Sequence, residues 1–536
     1  MKNNLIKYLT GTLVLAIVIA SCAKKLDLYP TNDLTPEKAF STAAGYKSVL
    51  AKIYGTLAIT GNAGPAGNPD ISGGLDEGSQ VAFIRMFFNC NELPTDEAVV
   101  AWNDQTIHDF HNLRWTNADP FLKGIYARPI YNITLINEYM RESTDAKLAE
   151  RGISGTDAAD IKKSVAEVRF LRAFNYWVMM DLFGKSTFIT EDDLIGSNLP
   201  KEINRADLFL YIEKELKAID ADLAQAKTIE YGRVDQGAAW ALLARMYLNA
   251  GVYTGAIKYT EAVTYAQKVI AAGYTLYAGY PRVFMADNDK AKDEFMFAVN
   301  CDGLRTQAYG NTTFFAHAAC GTESSEYGVS SGWSGYRSTS ALVNLFTDNT
   351  GATDKRAMFT TSKYGTSPAQ LIITDISNFD HGPHVKKYVN VRSDGGPVSD
   401  SKGEFADIDF PIFRLSEMYL IYAEAVLRGG TGGDAATALG YMNNIRTRAY
   451  GNTSGNITAG QLNLQFILDE RGRELYWEGH RRTDLIRYGL LTTGTYLWPW
   501  KGGVSSGTAV DAKYNLFPIP VSNIVANPNL TQNTGY

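Results

Sequence analysis

Apolar residues recur at helical spacing in several blocks of the chain, most clearly in residues 164–184. There they stand three or four positions apart, which places them on one face of a helix: Val165, Val168, Leu171, Phe174, Val178 and Leu182. Gly184 follows the last of them, and glycine often ends a helix because it adopts left-handed backbone angles at little cost. The pattern predicts an amphipathic helix that ends at Gly184.

A second block, residues 235–273, predicts two helices with small residues where they would touch, joined by a turn around Gly251 and Gly255. This arrangement resembles the tetratricopeptide repeat, a helix-turn-helix unit of about 34 residues. Similar pairs are predicted around residues 122–184 and at 414–428 with 434–449. Such units bury their apolar faces against neighbouring units, so the sequence predicts a mostly α-helical scaffold of tetratricopeptide-like repeats, at about 122–273 and 414–449.

Three segments between the helical blocks lack any sustained period. Residues 60–80, 300–340 and 390–406 are dense in Gly, Ser, Asn, Asp and Thr, with aromatic residues interspersed. Loops of this length in a folded protein are usually functional or disordered, and the embedded Trp and Tyr residues argue against disorder. We expect these loops to form the binding face.

Composition and charge exclude some classes of function. Of the 536 residues, 45% are hydrophobic, and 51 basic against 57 acidic residues give a net charge of −6, with no long run of Lys or Arg. The chain is therefore expected to fold and not to bind nucleic acid. Beyond Cys22 it has three cysteines, Cys90, Cys301 and Cys320, so at most one disulfide can join them.

The N-terminus has the pattern of an export signal. Lys2 and Lys7 precede an apolar stretch, "LTGTLVLAIVIA", that is too short to span a bilayer. The following "IASC" resembles a bacterial lipobox, in which the cysteine receives lipid after cleavage. We therefore expect residues 1–21 to be removed and Cys22 to anchor the protein in a membrane, the alternative being an ordinary buried cysteine.

Three glutamates raise the alternative of a glycoside hydrolase. Glu470, Glu474 and Glu478 recur every four residues on one predicted helix face, and hydrolases of this kind use a pair of carboxylates. Arginines interleave them, however, at 471, 473, 481 and 482. Because nearby arginines lower the pKa that a general acid needs raised, a structural ion-pair network is the favoured interpretation.

Two stretches at the C-terminal end resemble the signature of the SusD/RagB family of outer-membrane lipoproteins. They are "ILDERGRELYWEGHRRTDLIRYG", residues 467–489, and the ending "LFPIPVSNIVANPNLTQNTGY". The lipobox followed by "LDLYPTNDLT" matches the usual start of that family. Interior stretches, among them "FNCNELPTDE", "YLNAGVYTG" and "YLWPWKGG", are similar to its starch-binding members.

The resemblance implies one SusD-like body over residues 22–536, with an N-terminal part at about 22–230 and a C-terminal part at about 280–536. It implies an outer-membrane lipoprotein that faces the extracellular side and performs no bond chemistry. Its expected role is to bind starch or malto-oligosaccharide and to deliver it to a SusC-like TonB-dependent transporter. The alternative is the same fold with another glycan or a peptide as cargo.

The resemblance also implies a binding site made of aromatic rings. The matching positions are Trp102, Tyr309 and Trp333, with Arg85 as a hydrogen-bond donor and Gln105 where the starch-binding relative has a sugar-contacting asparagine. Val100 stands where that relative has a further tryptophan, which predicts a narrower aromatic platform. Flat rings and planar polar groups suit the apolar faces and hydroxyl belts of glucose, and the expected affinity is about micromolar to millimolar. The alternative for each ring is packing within the fold.

No cofactor is required by this reading, and a structural calcium is a further expectation. The stretches "DND" at 287–289 and "DID" at 407–409 offer the oxygen ligands that calcium prefers. The resemblance implies Asp289, Asp407 and Asp409 as the ligands. Solvated or capping carboxylates are the alternative.

Overall fold

The computed structural model describes residues 35–194, 196, 198–360 and 371–536. The predicted signal segment and the predicted lipidation site, Cys22, lie outside the described residues.

The described chain is mostly helical and contains nineteen α-helices and six short strands. The first helices are α1 (Pro36–Ala39), α2 (Ala43–Gly55), α3 (Phe83–Glu92), α4 (Ile107–His111), α5 (Pro120–Glu142), α6 (Asp145–Glu150), α7 (Gly155–Phe183), α8 (Arg205–Ala218), α9 (Gln236–Leu248), α10 (Ala250–Thr254) and α11 (Tyr259–Ala271). The later ones are α12 (Thr312–Ala318), α13 (Ser324–Tyr327), α14 (Ser340–Val343), α15 (Leu415–Leu427), α16 (Ala435–Tyr450), α17 (Leu464–Leu475), α18 (Arg481–Arg487) and α19 (Val521–Ala526). The strands are β1 (Val99–Val100), β2 (Ser186–Phe188), β3 (Lys201–Ile203), β4 (Phe295–Val299), β5 (Tyr336–Arg337) and β6 (Phe410–Arg414).

The predicted helical repeats are confirmed, with one difference in the second block. Helix α7 packs against α5 and α8, while α9, α11, α15 and α16 pack one against the next as a stack of helical hairpins. Gly184 ends α7 at a φ of 73°, as predicted. The connection between α9 and α11 is a short helix, α10, and not a simple turn, and Gly255 ends it at a φ of 77°. Among the described helices, none has the length and apolarity needed to cross a bilayer.

The strands form three antiparallel ribbons, β1 with β5, β2 with β3, and β4 with β6. In the first ribbon Val99 pairs with Arg337 and Val100 with Tyr336. This ribbon joins parts of the chain that are more than 200 residues apart, so it brings the predicted loop region 300–340 next to residues 99–102, which lie outside the three predicted loops.

Buried apolar side chains form a contiguous core that includes residues from Phe40 to Leu530. Trp498 is buried in it at 2% exposure and packs within the fold. Trp500 is partly buried, and its indole N–H donates to the Ile373 carbonyl at 2.9 Å. Cys90, Cys301 and Cys320 are all buried free thiols, so no disulfide joins these three described cysteines.

The predicted ion-pair network is confirmed at the C-terminal signature. Glu470 and Glu474 of α17 are buried at 0% exposure. Their partners come mostly from other elements: Glu470 contacts Arg356 at 2.7 Å, Arg446 at 2.8 Å and Arg473 at 2.7 Å, and Glu474 contacts Arg414 at 2.6 Å and Arg448 at 2.5 Å. These arginines hold the pKa of both glutamates below the ordinary value despite burial. The sequence predicted that the interleaved arginines would be the partners. Of these arginines only Arg473 pairs with Glu470, and none pairs with Glu474.

The turn after α17 rests on a buried pair of carboxyl groups, Glu92 and Glu97. Glu92 Oε1 accepts from the N–H groups of Gly479 at 2.5 Å and His480 at 3.1 Å, and Glu97 Oε2 accepts from Trp477 N–H at 3.2 Å. No described group donates to the buried Glu92 Oε2. Burial and the neighbouring Glu97 carboxylate raise the pKa of Glu92 well above its ordinary value, and burial raises the pKa of Glu97 to about 7. Both shifts therefore favour one proton kept between the two carboxyl groups.

This retained proton predicts a specific effect of Glu92→Gln on stability. The unfolded chain releases the proton above the ordinary pKa of 4.5 while the folded chain keeps it, so wild-type stability from this pair falls as the pH rises. Glutamine mimics the protonated acid, since its amide donates to Glu97 and its oxygen accepts from the same backbone groups. We expect a higher free energy of unfolding than wild type at pH 8 and a small difference at pH 5, growing by up to about 1.4 kcal/mol per pH unit.

Urea unfolding at pH 5, 6, 7 and 8 measures this difference. Glu150→Gln, at an exposed glutamate on α6, is the matched control and should run parallel to wild type. Parallel curves for Glu92→Gln and wild type would show that the pair holds no proton.

Candidate functional site

The ribbon of β1 and β5 positions Trp102. Its hydrogen bonding continues past the strands, because Ala101 N–H donates to the Gly335 carbonyl at 2.7 Å. Trp102 follows immediately, and its indole N–H donates to the Trp333 carbonyl at 2.8 Å. The backbone at Gly335 lies so close beneath the ring that a Cβ there would be 2.4 Å from two of its carbons. Trp102 is thus fixed both at its nitrogen and on one side of its ring.

The segment that carries Trp333 is held by the end of α12. Carbonyl groups at a helix C-terminus lack partners within the helix, and here the following chain returns to supply N–H groups. Three backbone N–H groups donate to carbonyl oxygens at or just after this end: Trp333 to His317 at 2.8 Å, Ser334 to Cys320 at 2.9 Å, and Gly335 to Ala318 at 2.9 Å. Trp333 is therefore positioned by regular backbone bonds although it lies in a loop.

Tyr309 lies three residues before the start of α12 at Thr312. Its neighbour Gly310 accepts from Arg85 N–H at 3.0 Å and leaves no room for a side chain, since a Cβ there would be 2.1 Å from Ala82 Cβ. The Tyr309 hydroxyl donates to Glu404 Oε1 at 2.9 Å, and this bond raises the pKa of the phenol. The ring packs against buried Phe405 with the centroids 5.4 Å apart.

The structure brings the three predicted rings together in one row. The centroids of Tyr309 and Trp333 are 6.2 Å apart, and those of Trp333 and Trp102 are 6.5 Å apart. All three side chains are partly exposed. We call Tyr309, Trp333 and Trp102 the aromatic row. The predicted convergence of these residues is confirmed, and their contact with a ligand stays a prediction.

Arg85 lies beneath the aromatic row and is only 6% exposed. Its guanidinium carbon is 5.2 Å from the Trp102 ring centroid and 4.9 Å from that of Phe314. A terminal nitrogen faces the exposed carboxylate of Asp104 at 3.9 Å. This position makes Arg85 a cationic support for the Trp102 ring, with one nitrogen directed towards the rim of the site.

The other two predicted positions differ in exposure. Gln105 is exposed and stands three residues after Trp102, before α4 begins. Val100 is buried at 0% exposure within β1, opposite Tyr336. Val100 thus faces the core and adds no exposed surface beside the aromatic row, and the narrower platform stays a prediction.

Sequence reasoning missed His317, which stacks against Trp333. The ring centroids are 4.6 Å apart at an interplanar angle of 23°. Its two ring nitrogens lie 2.6 Å from the Ser331 carbonyl and 3.0 Å from the Glu404 carbonyl. Burial lowers the pKa of His317, and a neutral imidazole can donate to only one of these two oxygens. A single histidine in a predicted loop carried no signal that would have placed it here.

The carboxylates named for calcium do not fit a cation as they are arranged. Protein donors already occupy Asp407 and Asp409: Gly303 N–H and Ser399 N–H on Asp407 at 2.9 and 2.7 Å, and Tyr231 hydroxyl and Cys301 N–H on Asp409 at 2.7 and 2.8 Å. Asp289 is exposed. Burial, with a contribution from the other two carboxylates, raises the pKa of Asp409 to about 7. The described residues contain no group of three or more metal-ligating side chains, so calcium stays a prediction that this geometry does not support.

A cavity of about 1120 Å³ lies elsewhere, between α2, α7 and residues 221–233. None of the residues of the aromatic row lines it. The three rings stand together at the surface, with the polar side chains of Asp104 and Glu404 beside them. We therefore place the candidate site at the aromatic row, where exposed rings and polar groups meet.

The chain is thus a stack of helical hairpins that carries partly exposed aromatic rings on ordered loops, the arrangement of a protein with a surface binding site. Comparison with known proteins gives its family. A sequence model of the SusD family matches residues 359–536. The starch-binding protein SusD of Bacteroides thetaiotaomicron is 36% identical over 585 aligned positions that cover 100% of both chains. SusD-like protein P25 of Formosa agariphila is 24% identical, over 96% of this chain and 97% of that one.

The fold is shared with solved structures as well. Surface glycan-binding protein A from Bacteroides thetaiotaomicron, solved in complex with laminarihexaose, superposes with a TM-score of 0.68 at 18% identity, over 91% of this chain and 99% of that chain. The chain belongs to the SusD family. It is accordingly a binding protein and not an enzyme, which agrees with the lowered pKa of Glu470 and Glu474.

The close approach of Gly335 to Trp102 predicts the effect of Gly335→Ala. The added methyl group would occupy the space of the indole, so we expect Trp102 to move and its bond to the Trp333 carbonyl to break. The indole N–H resonance of Trp102 in a ¹H–¹⁵N spectrum, assigned with Trp102→Phe, reports this bond without any ligand. It should shift upfield in Gly335→Ala.

Gly440→Ala is the matched control, because nothing lies within 4 Å of a Cβ at that exposed position in α16. Its spectrum should keep the Trp102 resonance in place. An unchanged resonance in Gly335→Ala would mean that the ring is not held against this backbone.

Proposed function

We propose that this protein binds starch or malto-oligosaccharide on the aromatic row and delivers it for import. The observation that carries the proposal is the row itself, three partly exposed rings from three segments in which the centroids of neighbouring rings are 6.2 and 6.5 Å apart. Each ring is also fixed by hydrogen bonds or packing, so little conformational entropy remains to be lost when a ligand binds.

The chemistry of the row suits a neutral glucan. A glucose ring has apolar C–H faces that stack on aromatic rings and a belt of hydroxyl groups at its edge. Gln105, Asp104 and Glu404 place polar groups around the row, where such hydroxyls would lie. If each ring covers on the order of 60 Å² of apolar surface, stacking contributes about 1.5 kcal/mol per ring. Much of that total is offset by immobilising the sugar, which leaves an affinity of roughly micromolar to millimolar.

The relatives favour starch over other glycans. The relative that is 36% identical over its whole length is named a starch-binding protein. The structural neighbour solved with laminarihexaose is 18% identical and shares the fold. The alternative, another glycan on the same fold, is supported by that neighbour. The tilt of 42° between Trp102 and Trp333 and of 60° between Trp333 and Tyr309 supports a curved ligand over a flat one.

The location of the protein is part of the same proposal. Residues 1–21 would be removed as an export signal and Cys22 lipidated, which would tether the protein to the outer membrane with its binding face outward. A SusC-like TonB-dependent transporter would take the bound oligosaccharide. The resemblance of the chain to its family supports both steps.

Affinity electrophoresis of the Trp333→Ala variant tests the proposed ligand. The wild-type protein should be retarded on gels that contain starch or pullulan and should run freely on dextran, inulin and xylan gels. Because Trp333 is the central ring and its removal also unstacks His317, we expect starch affinity to fall at least roughly tenfold.

Trp240→Ala is the control, since Trp240 is a partly exposed tryptophan on α9 outside the aromatic row. It should keep the wild-type mobility on starch. Equal mobility of the wild-type protein on all gels would contradict the proposal of a starch ligand, and retardation on one of the other glycans would favour the alternative cargo.

Extraction of the lipidated protein from its native membrane tests the partner. A TonB-dependent barrel protein should co-purify with tagged wild-type protein in mild detergent. A Cys22→Ser variant should leave the membrane fraction. Recovery of the anchored protein without any barrel protein would argue against the transporter.

A further inference from the structure

Glu404 lies at the end of the aromatic row and is held in place by its own backbone. Its N–H donates to Asp400 Oδ2 at 2.9 Å, and its carbonyl oxygen lies 3.0 Å from His317 Nε2. The next residue, Phe405, is buried and packs against Tyr309. The side chain of Glu404 therefore leaves a fixed backbone at a fixed distance from the row.

One oxygen of this carboxylate accepts a hydrogen bond from the aromatic row, and the other can still accept one. Oε1 accepts from the Tyr309 hydroxyl at 2.9 Å. Within the described parts of the chain, no donor reaches Oε2 and no Lys, Arg or His forms an ion pair with the carboxylate. Oε2 is also not among the described polar atoms that are buried without a partner, so it reaches solvent. A carboxylate with an unused oxygen beside a solvent-exposed ring can accept further hydrogen bonds.

The position of the carboxylate matches the hydroxyl belt of a stacked sugar. When a pyranose lies on the Tyr309 ring, its equatorial hydroxyls project at the ring edge, where the phenol oxygen and Glu404 meet. We propose that Glu404 accepts hydrogen bonds from two neighbouring hydroxyls of that sugar unit and thereby selects glycans whose vicinal diol is unsubstituted. This inference rests on the proposed function and adds a specificity-determining residue that the aromatic row does not supply.

Carboxylates at both ends of the aromatic row also bear on whether the ligand is neutral or charged. Asp104 stands at the Trp102 end with its side chain 51% exposed, and Glu404 stands at the Tyr309 end. Arg85 is buried beneath Trp102. Acidic sugars would bring a negative charge close to the Asp104 and Glu404 carboxylates, which is unfavourable. The two carboxylates therefore favour neutral over acidic glycans.

Calorimetric titration of Glu404→Gln tests the assignment. Glutamine keeps the size of the side chain and an oxygen for the Tyr309 hydroxyl, but it loses the charge and one acceptor. Maltohexaose should bind roughly tenfold more weakly than to wild type, because hydrogen bonds to a charged acceptor are the stronger kind. Maltohexaose oxidised to carboxylate at C6 should bind wild type at least tenfold more weakly than maltohexaose, and Glu404→Gln should narrow that difference. Maltohexaose methylated at O2 and O3 should bind wild type and variant equally weakly.

Two further variants separate this role from folding and from stacking. Glu326→Gln, at an exposed glutamate paired with Lys386, should leave every affinity unchanged. Tyr309→Phe keeps the ring and removes the hydroxyl that orients Glu404, so it should weaken maltohexaose binding less than Tyr309→Ala does. A melting temperature of Glu404→Gln within the error of wild type shows that the fold is intact.

The outcomes distinguish this inference from the proposed function. If wild type binds maltohexaose and Glu404→Gln binds it within twofold, the role of Glu404 is overturned while starch binding stands. If wild type binds another neutral glycan and not maltohexaose, the proposed starch ligand is overturned. A tenfold loss of affinity for that glycan in Glu404→Gln would then support the role of Glu404. If wild type binds no neutral glycan, both are overturned.

Discussion

Carboxylates that are shut off from water must be paired, and this requirement organises the C-terminal half of the fold. Glu470, Glu474 and Glu478 lie on one face of α17 and on the turn that follows it, and all are buried. Their partners Arg356, Arg414, Arg446 and Arg448 come from a loop, from β6 and from α16. Removal of one member of such a pair leaves an unpaired buried charge and typically costs about 3–5 kcal/mol. Any packing of the helices that separated one of these pairs would therefore be strongly disfavoured.

The pairing of buried charges also positions the aromatic row, because the turn after α17 contacts the segment that precedes β1. Arg481 pairs with Asp96 at 2.7 Å, and Trp477 donates its indole N–H to the Glu97 carbonyl at 2.9 Å. The segment that contains these acids leads directly into β1 and then to Trp102. Thr339 closes the other side of the ribbon by donating to the Asp96 carbonyl at 2.6 Å. A structural signature at residues 467–489 thus supports a ring more than 360 positions earlier in the chain.

The proposed binding site lies on loops and gains from this rigidity. Each of the three rings has a hydrogen bond or a packed neighbour that fixes it before any ligand arrives: Trp102 on the Trp333 carbonyl, Trp333 on His317, and Tyr309 on Glu404. Ordering a mobile aromatic side chain at an interface costs about 0.5–1.5 kcal/mol, which is comparable with what one stacked ring contributes. Fixing the rings in advance removes this ordering cost from the proposed binding.

The sequence by itself determined the helical blocks, the end of α7 at Gly184 and the ionic character of the C-terminal signature, because periodicity, glycine conformation and charge alternation act over a few residues. It also gave the residues of the aromatic row, through family resemblance. Only the tertiary structure decided that the partners of Glu470 and Glu474 are mostly distant arginines, that Arg85 lies beneath a ring, and that His317 and Glu404 belong to the site. These are contacts between segments tens to hundreds of residues apart, and no local pattern encodes them. Packing of the whole chain sets the distances that turn separate side chains into a site.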